Sequence, residues 1–426
     1  MPTARGWLTV GMGAVMWAVG IGFGAGALQQ LGFALVALVG IAVVVVRVGG
    51  HDVEVTRSVT PTRARAGAPV TIRIELHNRG HRPAPLVLVE DRLPPRLRTS
   101  ARFALYGVES EGSRRAEVVV RPPRRGRYEI GPLSLSFVDP FGLARVAMEE
   151  ASLTELLVQP RVETLSLPPD PGDRSSVTSS ALRHPSGARG EDFYTLREYA
   201  EGDDLRKIHW PSTAKLDAIM IRQEETPWHT RATVLLDDRA IAHAGTGDAS
   251  SFERAVEAAA SVVDLYHRSG YGYRVLGVGQ ADVGSARGGD HYNRCLDILA
   301  GIEQQGTSTE DGLAVRLAEL EEAGGPEAVL VVVAGALSPM DAVALSRCRR
   351  RFRHVTVVSF PAHRFGTSTT KSRWEGEGRA LEVLRLLERA QIRTLTLGSD
   401  EPLTPLWSTG RGARSHRRWA RKPELV

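Results

Sequence analysis

AVLVVV, residues 328–333, is the strongest buried-strand signal in the chain. A short, wholly apolar run rich in β-branched side chains fits a strand covered on both faces. Met340–Arg351, a helical stretch, follows it, and then a strand at Val355–Ser359. The same alternation runs back toward Ala232–Leu236, a second continuous apolar strand. Between them lie a helix at Phe252–His267, a strand at Tyr273–Val278, and helices at His291–Glu303 and Glu310–Ala323. Downstream come a helix at Arg379–Ala390 and a strand at Thr394–Leu397. Short apolar strands alternating with helices predict a mainly parallel sheet with helices on both faces, the doubly wound α/β class.

Upstream the pattern changes. Val70, Ile72, Ile74 and Leu76 alternate with Thr71, Arg73 and Glu75, the period of a half-buried strand, and Asn78-Arg79-Gly80 supplies a turn. Further short strands are expected at Leu86–Val89, Val118–Val120, Tyr128–Ile130 and Leu133–Phe137. About a hundred residues of short strands suit an immunoglobulin-like sandwich. Residues 161–188, rich in Pro, Ser and Asp, read as a linker or an overlaid loop.

Composition is ordinary, with 42% hydrophobic and 24% charged residues among 426, except at the start. From Gly6 to Val46 there is no Asp, Glu, Lys or Arg. A bilayer core of about 30 Å takes about 20 helical residues, so this run fits two spans. The polar pair Gln29-Gln30 places the turn, with helices at Trp7–Leu28 and Leu31–Val46. Gly20, Gly22, Gly24 and Gly26 form small-xxx-small patterns expected to pack the helices together. A cleavable signal peptide, with Ala25-Gly26-Ala27 as its cleavage site, competes with this reading. It fits less well, because the first apolar run is too long and a second follows directly. Arg5 precedes the hairpin and Arg47, Arg57, Arg63 and Arg65 follow it, while the turn carries no charge. The positive-inside rule then predicts both ends, and the soluble parts, in the cytoplasm.

One segment carries a denser signal. Gly190-Glu191-Asp192-Phe193, Leu196-Arg197-Glu198-Tyr199, Gly202-Asp203-Asp204, Arg206, Ile208-His209-Trp210, Ala214 and Met220-Ile221-Arg222 resemble the signature of the domain-of-unknown-function family 58. Arg125-Gly126-Arg127-Tyr128 and Asp139-Pro140-Phe141-Gly142-Leu143 are similar to the segments that precede it in that family. The resemblance implies a bacterial membrane protein with a von Willebrand factor type A-like C-terminal domain. It further implies association with MoxR-type AAA+ ATPases and transglutaminase-like membrane proteins. Mixed charge beside Phe193, Tyr199 and Trp210 favours Arg–carboxylate pairs clamped over rings, as an ion-pair brace or a docking surface. His209 near Asp203 or Asp204 reads as a structural histidine, with a general base or metal ligand as the alternative.

The expected architecture is therefore a membrane-anchored multidomain chain. Residues 1–50 form a transmembrane hairpin, 51–160 the β-sandwich, 161–230 the linker and signature, 231–400 the type A-like α/β domain, and 401–426 a basic tail. A type A fold holds Mg²⁺ on a D-x-S-x-S loop after its first strand. The corresponding loop here is Asp237-Asp238-Arg239-Ala240-Ile241. Arg239, which has no lone pair to give, stands where a hydroxyl is needed. Thr307 or Thr309 is a candidate for the helix-side ligand, and Gly335 lies where a second acid is expected. This pattern predicts no metal. No P-loop, nucleophile elbow or H-E-x-x-H pair occurs, and Gly277-Val278-Gly279 lacks the third glycine of a dinucleotide loop.

The two cysteines, Cys295 and Cys348, suit buried thiols rather than zinc or a disulfide framework. The net charge of +5 owes much to Arg411, Arg414, Arg417, Arg418, Arg421 and Lys422. That tail reads as a solvated end or as a second contact with anionic lipid. There is no aromatic-plus-basic motif for nucleic acid. The function expected is a non-enzymatic membrane scaffold without cofactor, docking cytoplasmic partners in a cell-envelope or complex-maturation pathway. The alternatives are a metal-dependent protein-binding module and a hydrolase using His209 with the acidic cluster.

Overall fold

The computed structural model describes residues 1–48, 52–81, 86–97, 99–105, 108–167, 194–198, 208–216, 218–224, 231–279, 281–306, 309–323, 329–365 and 370–408. The chain divides into two compact units, Met1–Pro160 and Arg161–Val426.

The first unit begins with two helices, α1 (Ala4–Gly22) and α2 (Gly26–Val48). Gly6, Gly13 and Gly20 recur every seventh residue of α1, lie on one stripe and are all buried. A Cβ on Gly13 would sit 2.8 Å from the carbonyl oxygen of Gly32, and one on Gly32 would sit 2.5 Å from that of Gly13. The helices thus touch backbone to backbone. Gly22, Gly24 and Gly26, expected in this interface, face open space. The turn also differs from expectation: it falls at Phe23–Ala25, where Gly24 takes φ +69°. Gln29 lies inside α2, and its amide nitrogen donates to the Gly20 carbonyl at 3.1 Å. A side-chain amide that finds a local acceptor does not have to break a helix. Gly26–Val48 is long and apolar enough to cross a membrane, with a mean hydropathy of 2.7.

Among the described residues ten strands follow: β1 (Val53–Thr60), β2 (Arg63–Arg65), β3 (Val70–Asn78), β4 (Leu86–Asp91), β5 (Ala101–Leu105), β6 (Ser113–Val120), β7 (Gly126–Ile130), β8 (Leu133–Val138), β9 (Arg145–Glu150) and β10 (Thr154–Gln159). They form sheets of order β1-β3-β6, β2-β10-β7 and β5-β4-β8-β9. The inward residues of β3 divide between two cores. Ile74 and Leu76 meet β4 and β8 in a core that also takes in Val39, Ala42 and Val46 of α2. Val70 and Ile72 meet β7 and β10 at the far end. The first sheet therefore forms one layer of a β-sandwich and the other two sheets share the opposite layer. Tyr128, 2% exposed, closes the far core, and its hydroxyl donates to the Arg124 carbonyl four residues back at 2.8 Å. That bond gives the Arg125–Tyr128 motif a structural task, pinning the entry of β7.

In the second unit, β11 (Tyr194–Glu198) and β12 (Met220–Glu224) form an antiparallel pair, with the short helix α3 (Trp210–Leu216) before β12. The main sheet comprises β13 (Arg231–Leu236), β14 (Gly272–Gly277), β15 (Asp282–Ala286), β16 (Val329–Ala334), β17 (His354–Ser359) and β18 (Arg393–Thr396). Its order is β15-β14-β13-β16-β17-β18, parallel except for the edge strand β15. The helices are α4 (Ser251–Arg268), α5 (Gly289–Gly301), α6 (Gly312–Glu322), α7 (Pro339–Cys348), α8 (Thr370–Arg389) and α9 (Leu403–Ser408).

Alternate residues of the strands point to opposite layers. Val234, Val275, Val331 and Val333 pack with α4 and α5. Leu235, Leu276, Leu330 and Val332 pack with α6, α7 and α8. This is a doubly wound sheet, as the alternation predicted. Leu165 and Trp407, both nearly sealed from solvent, belong to the first of these cores. The α/β unit thus takes in residues that composition alone assigned to the linker and the tail.

Candidate functional site

In an open α/β sheet, ligands settle outside the carboxyl ends of the strands, where neighbouring connections leave in opposite directions. Here that point lies between β13, which continues to β14 on one side, and β16, which continues to β17 on the other. Asp237, Asp238 and Arg239 leave the end of β13, and the residues after β16 lead into α7. All three are buried, as is Asp341 on α7.

Arg239 folds back on its own loop. Its Nε donates to Asp237 Oδ1 at 2.8 Å and its Nη2 to Asp237 Oδ2 at 2.9 Å, a two-toothed pair. Nη2 also reaches Asp341 Oδ2 at 3.4 Å, and Nη1 donates to the Glu310 carbonyl. A planar, permanently charged group thus lies between two carboxylates at the switch point. Burial tends to discharge the guanidinium, but the bonds and charge of Asp237, with Asp341 adding to them, hold its pKa above the ordinary value.

Asp341 was not foreseen; Gly335 was the position expected for the second acid. A Cβ on Gly335 would lie 2.0 Å from the Ala242 carbonyl oxygen, so that position packs against backbone. Asp341 comes instead from the first turn of α7. Ser338 Oγ accepts from the Asp341 amide at 3.1 Å, and Asp341 Oδ2 accepts from the Ser338 amide at 2.9 Å, a reciprocal capping box. Ser338-Pro339-Met340-Asp341 carried that signal in the sequence, as a helix start. Desolvation raises the Asp341 pKa against the lowering pull of Ser338 and Arg239, and its Oδ1 has no partner.

Of the other candidates for a metal, Thr309 is exposed ahead of α6 and Thr307 lies outside the described residues. Among the described residues no group of three or more His, Cys, Asp or Glu is placed to hold an ion. His243 packs beside the cluster, its Nε2 2.6 Å from the Asp237 carbonyl and its Nδ1 3.0 Å from Ser251 Oγ. Burial lowers its pKa, so it braces the loop in the neutral form.

Asp238 points away from the guanidinium pair. Its Oδ1 accepts from the Gly279 amide at 2.9 Å, while Oδ2 is buried with no partner. Gly277 and Gly279 leave room for it, since a Cβ at either would come within 3.0 Å of Oδ2. The glycine pair after β14 therefore accommodates a carboxylate. Desolvation holds the Asp238 pKa above its ordinary 3.8. A raised carboxyl takes up protons on folding, so its contribution to stability is full below 3.8 and is lost as pH rises through the folded value. Asp238→Asn removes the uncompensated charge. It should raise stability at pH 8 by about 1 kcal/mol, with little effect near pH 4, in paired denaturation curves.

The signature residues divide. Arg197 and Glu198 lie on β11, paired in register with Ile221 and Met220 of β12. His209 caps α3: its carbonyl accepts from the Thr213 amide at 3.0 Å, and its Nδ1 lies 2.9 Å from Ser212 Oγ. Trp210 is 69% exposed. Gly190, Glu191, Phe193, Tyr199, Gly202, Asp203, Asp204 and Arg206 lie outside the described residues. The pairing of His209 with an acid, on which the hydrolase reading depends, falls there too. Cys295 and Cys348 are buried, and desolvation pushes both thiols up to about 12, far from a nucleophile's range.

The β11–β12 hairpin, the His209 cap and the Asp237–Arg239–Asp341 cluster all fall within one stretch of sequence similarity. Residues 195–361 match the family DUF58. That family is described as a protein of unknown function, and the DUF58 match ends just after β17, short of α8 and β18. No curated protein matches the chain. Among solved structures, the CARDB domain of the PF1109 protein from Pyrococcus furiosus, in complex with di-metal ions, is similar at 10% identity with a TM-score of 0.20. The similarity covers 26% of this chain and 96% of that domain. The alkylpurine DNA glycosylase AlkC of Pseudomonas fluorescens, bound to DNA containing an abasic site analog, is similar at 14% identity and a TM-score of 0.16. There 30% of this chain and 39% of the glycosylase are covered. Scores this low carry no argument about fold or function.

Proposed function

We propose that the chain is a non-enzymatic scaffold held in a bacterial cell membrane by the α1–α2 hairpin. On this reading both helices span the bilayer and the soluble units face the cytoplasm. The sandwich is immunoglobulin-like, and the α/β unit is a degenerate von Willebrand factor type A-like domain that docks protein partners. The observation that carries this reading is Arg239, whose guanidinium is buried at the switch point and pairs Asp237 there. A crevice plugged by the chain's own cation leaves recognition to the outer surface, where Trp210 is exposed in the signature segment. Arg5 and Arg47 at the open end of the hairpin favour a cytoplasmic orientation. By resemblance, the partners are a MoxR-type AAA+ ATPase and a transglutaminase-like membrane protein. Affinity isolation of the full chain in gentle detergent should recover such an ATPase, and Trp210→Ala should weaken its recovery. Repeated isolation without it would count against the scaffold reading.

A second reading rests on Asp341, whose buried Oδ1 lacks a partner. An Mg²⁺ ion that displaced Arg239 would find Asp237 and Asp341 on either side. Calorimetry of the full chain with MgCl₂ separates the two readings, since only metal-dependent binding gives saturable heat that Asp237→Ala abolishes.

A further inference from the structure

The Asp139–Leu143 motif is far from the switch point, and its geometry gives it a different task. Asp139, 2% exposed, organises a tight turn: Oδ2 accepts from the Phe141 amide at 2.9 Å and Oδ1 from the Ala144 amide at 2.5 Å. The Gly142 amide donates to the Asp139 carbonyl at 3.0 Å, and Gly142 takes φ +69°. This turn grips the start of α1. The Thr3 amide donates to the Leu143 carbonyl at 2.8 Å, and Thr3 Oγ1 donates to the Gly142 carbonyl at 2.6 Å. Gly6 is required there, because a Cβ would lie 2.2 Å from the Leu143 oxygen. Leu143 and Ala144 turn inward to the core, yet Phe141 is 67% exposed. A large apolar side chain at the tip of a rigid turn serves no purpose in the sandwich.

Its surroundings supply one. Phe141 is held level with the first turn of α1, where the chain passes from water into the apolar helix. Trp7, 63% exposed, closes that first turn, and the exposed Arg5 and Arg145 flank the junction. Aromatic rings with cationic neighbours are what a membrane protein places at headgroup depth. We propose that Phe141 inserts into the headgroup zone of the leaflet from which α1 starts. Together with Trp7 it forms a collar that holds the β-sandwich against the bilayer surface. This collar rests on the reading of the hairpin as membrane-embedded, and it makes the sandwich a peripheral membrane module in its own right.

The test uses the full chain in vesicles of phosphatidylethanolamine and phosphatidylglycerol, with a single environment-sensitive fluorophore on an introduced cysteine. The two native thiols are buried and do not compete for it. Phe141→Cys reports the collar, Val15→Cys the hairpin, and Val119→Cys, exposed at the far end of the sandwich, the aqueous reference. Expected are a blue-shifted emission at position 141 and its loss to quenchers placed near the headgroups. Position 15 should respond to quenchers deep in the acyl chains, and position 119 to neither. Quenching at 15 with a water-like signal at 141 would overturn the collar and leave the anchor standing. Water-like signals at both would overturn the anchor and the collar together.

Discussion

Arg239→Ala should destabilise the α/β unit by about 3–5 kcal/mol, the cost of removing one partner from a buried ion pair and leaving the other charged. Asp237 loses a two-toothed partner and Asp341 the cation beside it, and neither side chain is exposed to water. Arg239→Lys should recover only part of the loss, because a point charge cannot serve both oxygens of Asp237 and the Glu310 carbonyl in one plane. Neutralising the cluster as a whole, with Arg239→Met, Asp237→Asn and Asp341→Asn combined, should cost less than Arg239→Ala alone. Hydrogen exchange at the ends of β13 and β16 gives the readout. Unchanged protection in the alanine variant would mean that solvent already reaches the cluster and that the guanidinium is no plug.

The second large effect belongs to the hairpin. Gly32→Val puts a branched side chain where a single Cβ already lies 2.5 Å from the Gly13 carbonyl oxygen and 2.7 Å from the Trp17 amide nitrogen. Both obstacles are backbone, so the helices must part. On the proposed reading the helices lie in lipid, where association rests on close packing, and overpacking on this scale should cost about 3 kcal/mol. Spin labels at Trp17→Cys and Phe33→Cys should show a longer and broader distance distribution than in the parent protein. Gly22→Val, which meets open space, is the control and should leave the distribution unchanged.

The main sheet was legible because its inner strands are buried on both faces, so apolar side chains dominate them, most completely in Val329–Ala334. The strand β15 was not, since among its residues only Val283 is buried, and an edge strand leaves little apolar pattern. Gln29, polar in an apolar run, does not punctuate the hairpin. Its amide is satisfied by Gly20, and the real break uses Gly24 for its positive φ. At the switch point, Asp237 and Arg239 were readable from their place after a strand. Asp341 was hidden because its approach depends on the pitch of α7 rather than on any spacing from Asp237. Similarly, Leu165 and Trp407 lie some 240 residues apart in sequence, and the bond from the Trp407 indole to the Ser166 carbonyl at 2.9 Å joins segments that no local pattern connects.

The pairing of β10 with β2 has a bearing on synthesis. Gln159 lies beside Arg65 in a parallel ladder, so β2, the second strand of the chain, waits for one made almost a hundred residues later. At roughly 5–20 residues per second, the ribosome takes on the order of 5–20 s to supply it. Throughout that interval the two helices are complete while the β2-β10-β7 sheet, at the far end of the sandwich, lacks its central strand. On the proposed reading of α1 and α2 as a membrane anchor, the nascent chain is tethered at its beginning, has a smaller volume to search, and is kept apart from its copies on other ribosomes. Early attachment thus shields a slow, non-local sheet during the seconds when it is most prone to pair with the wrong strand.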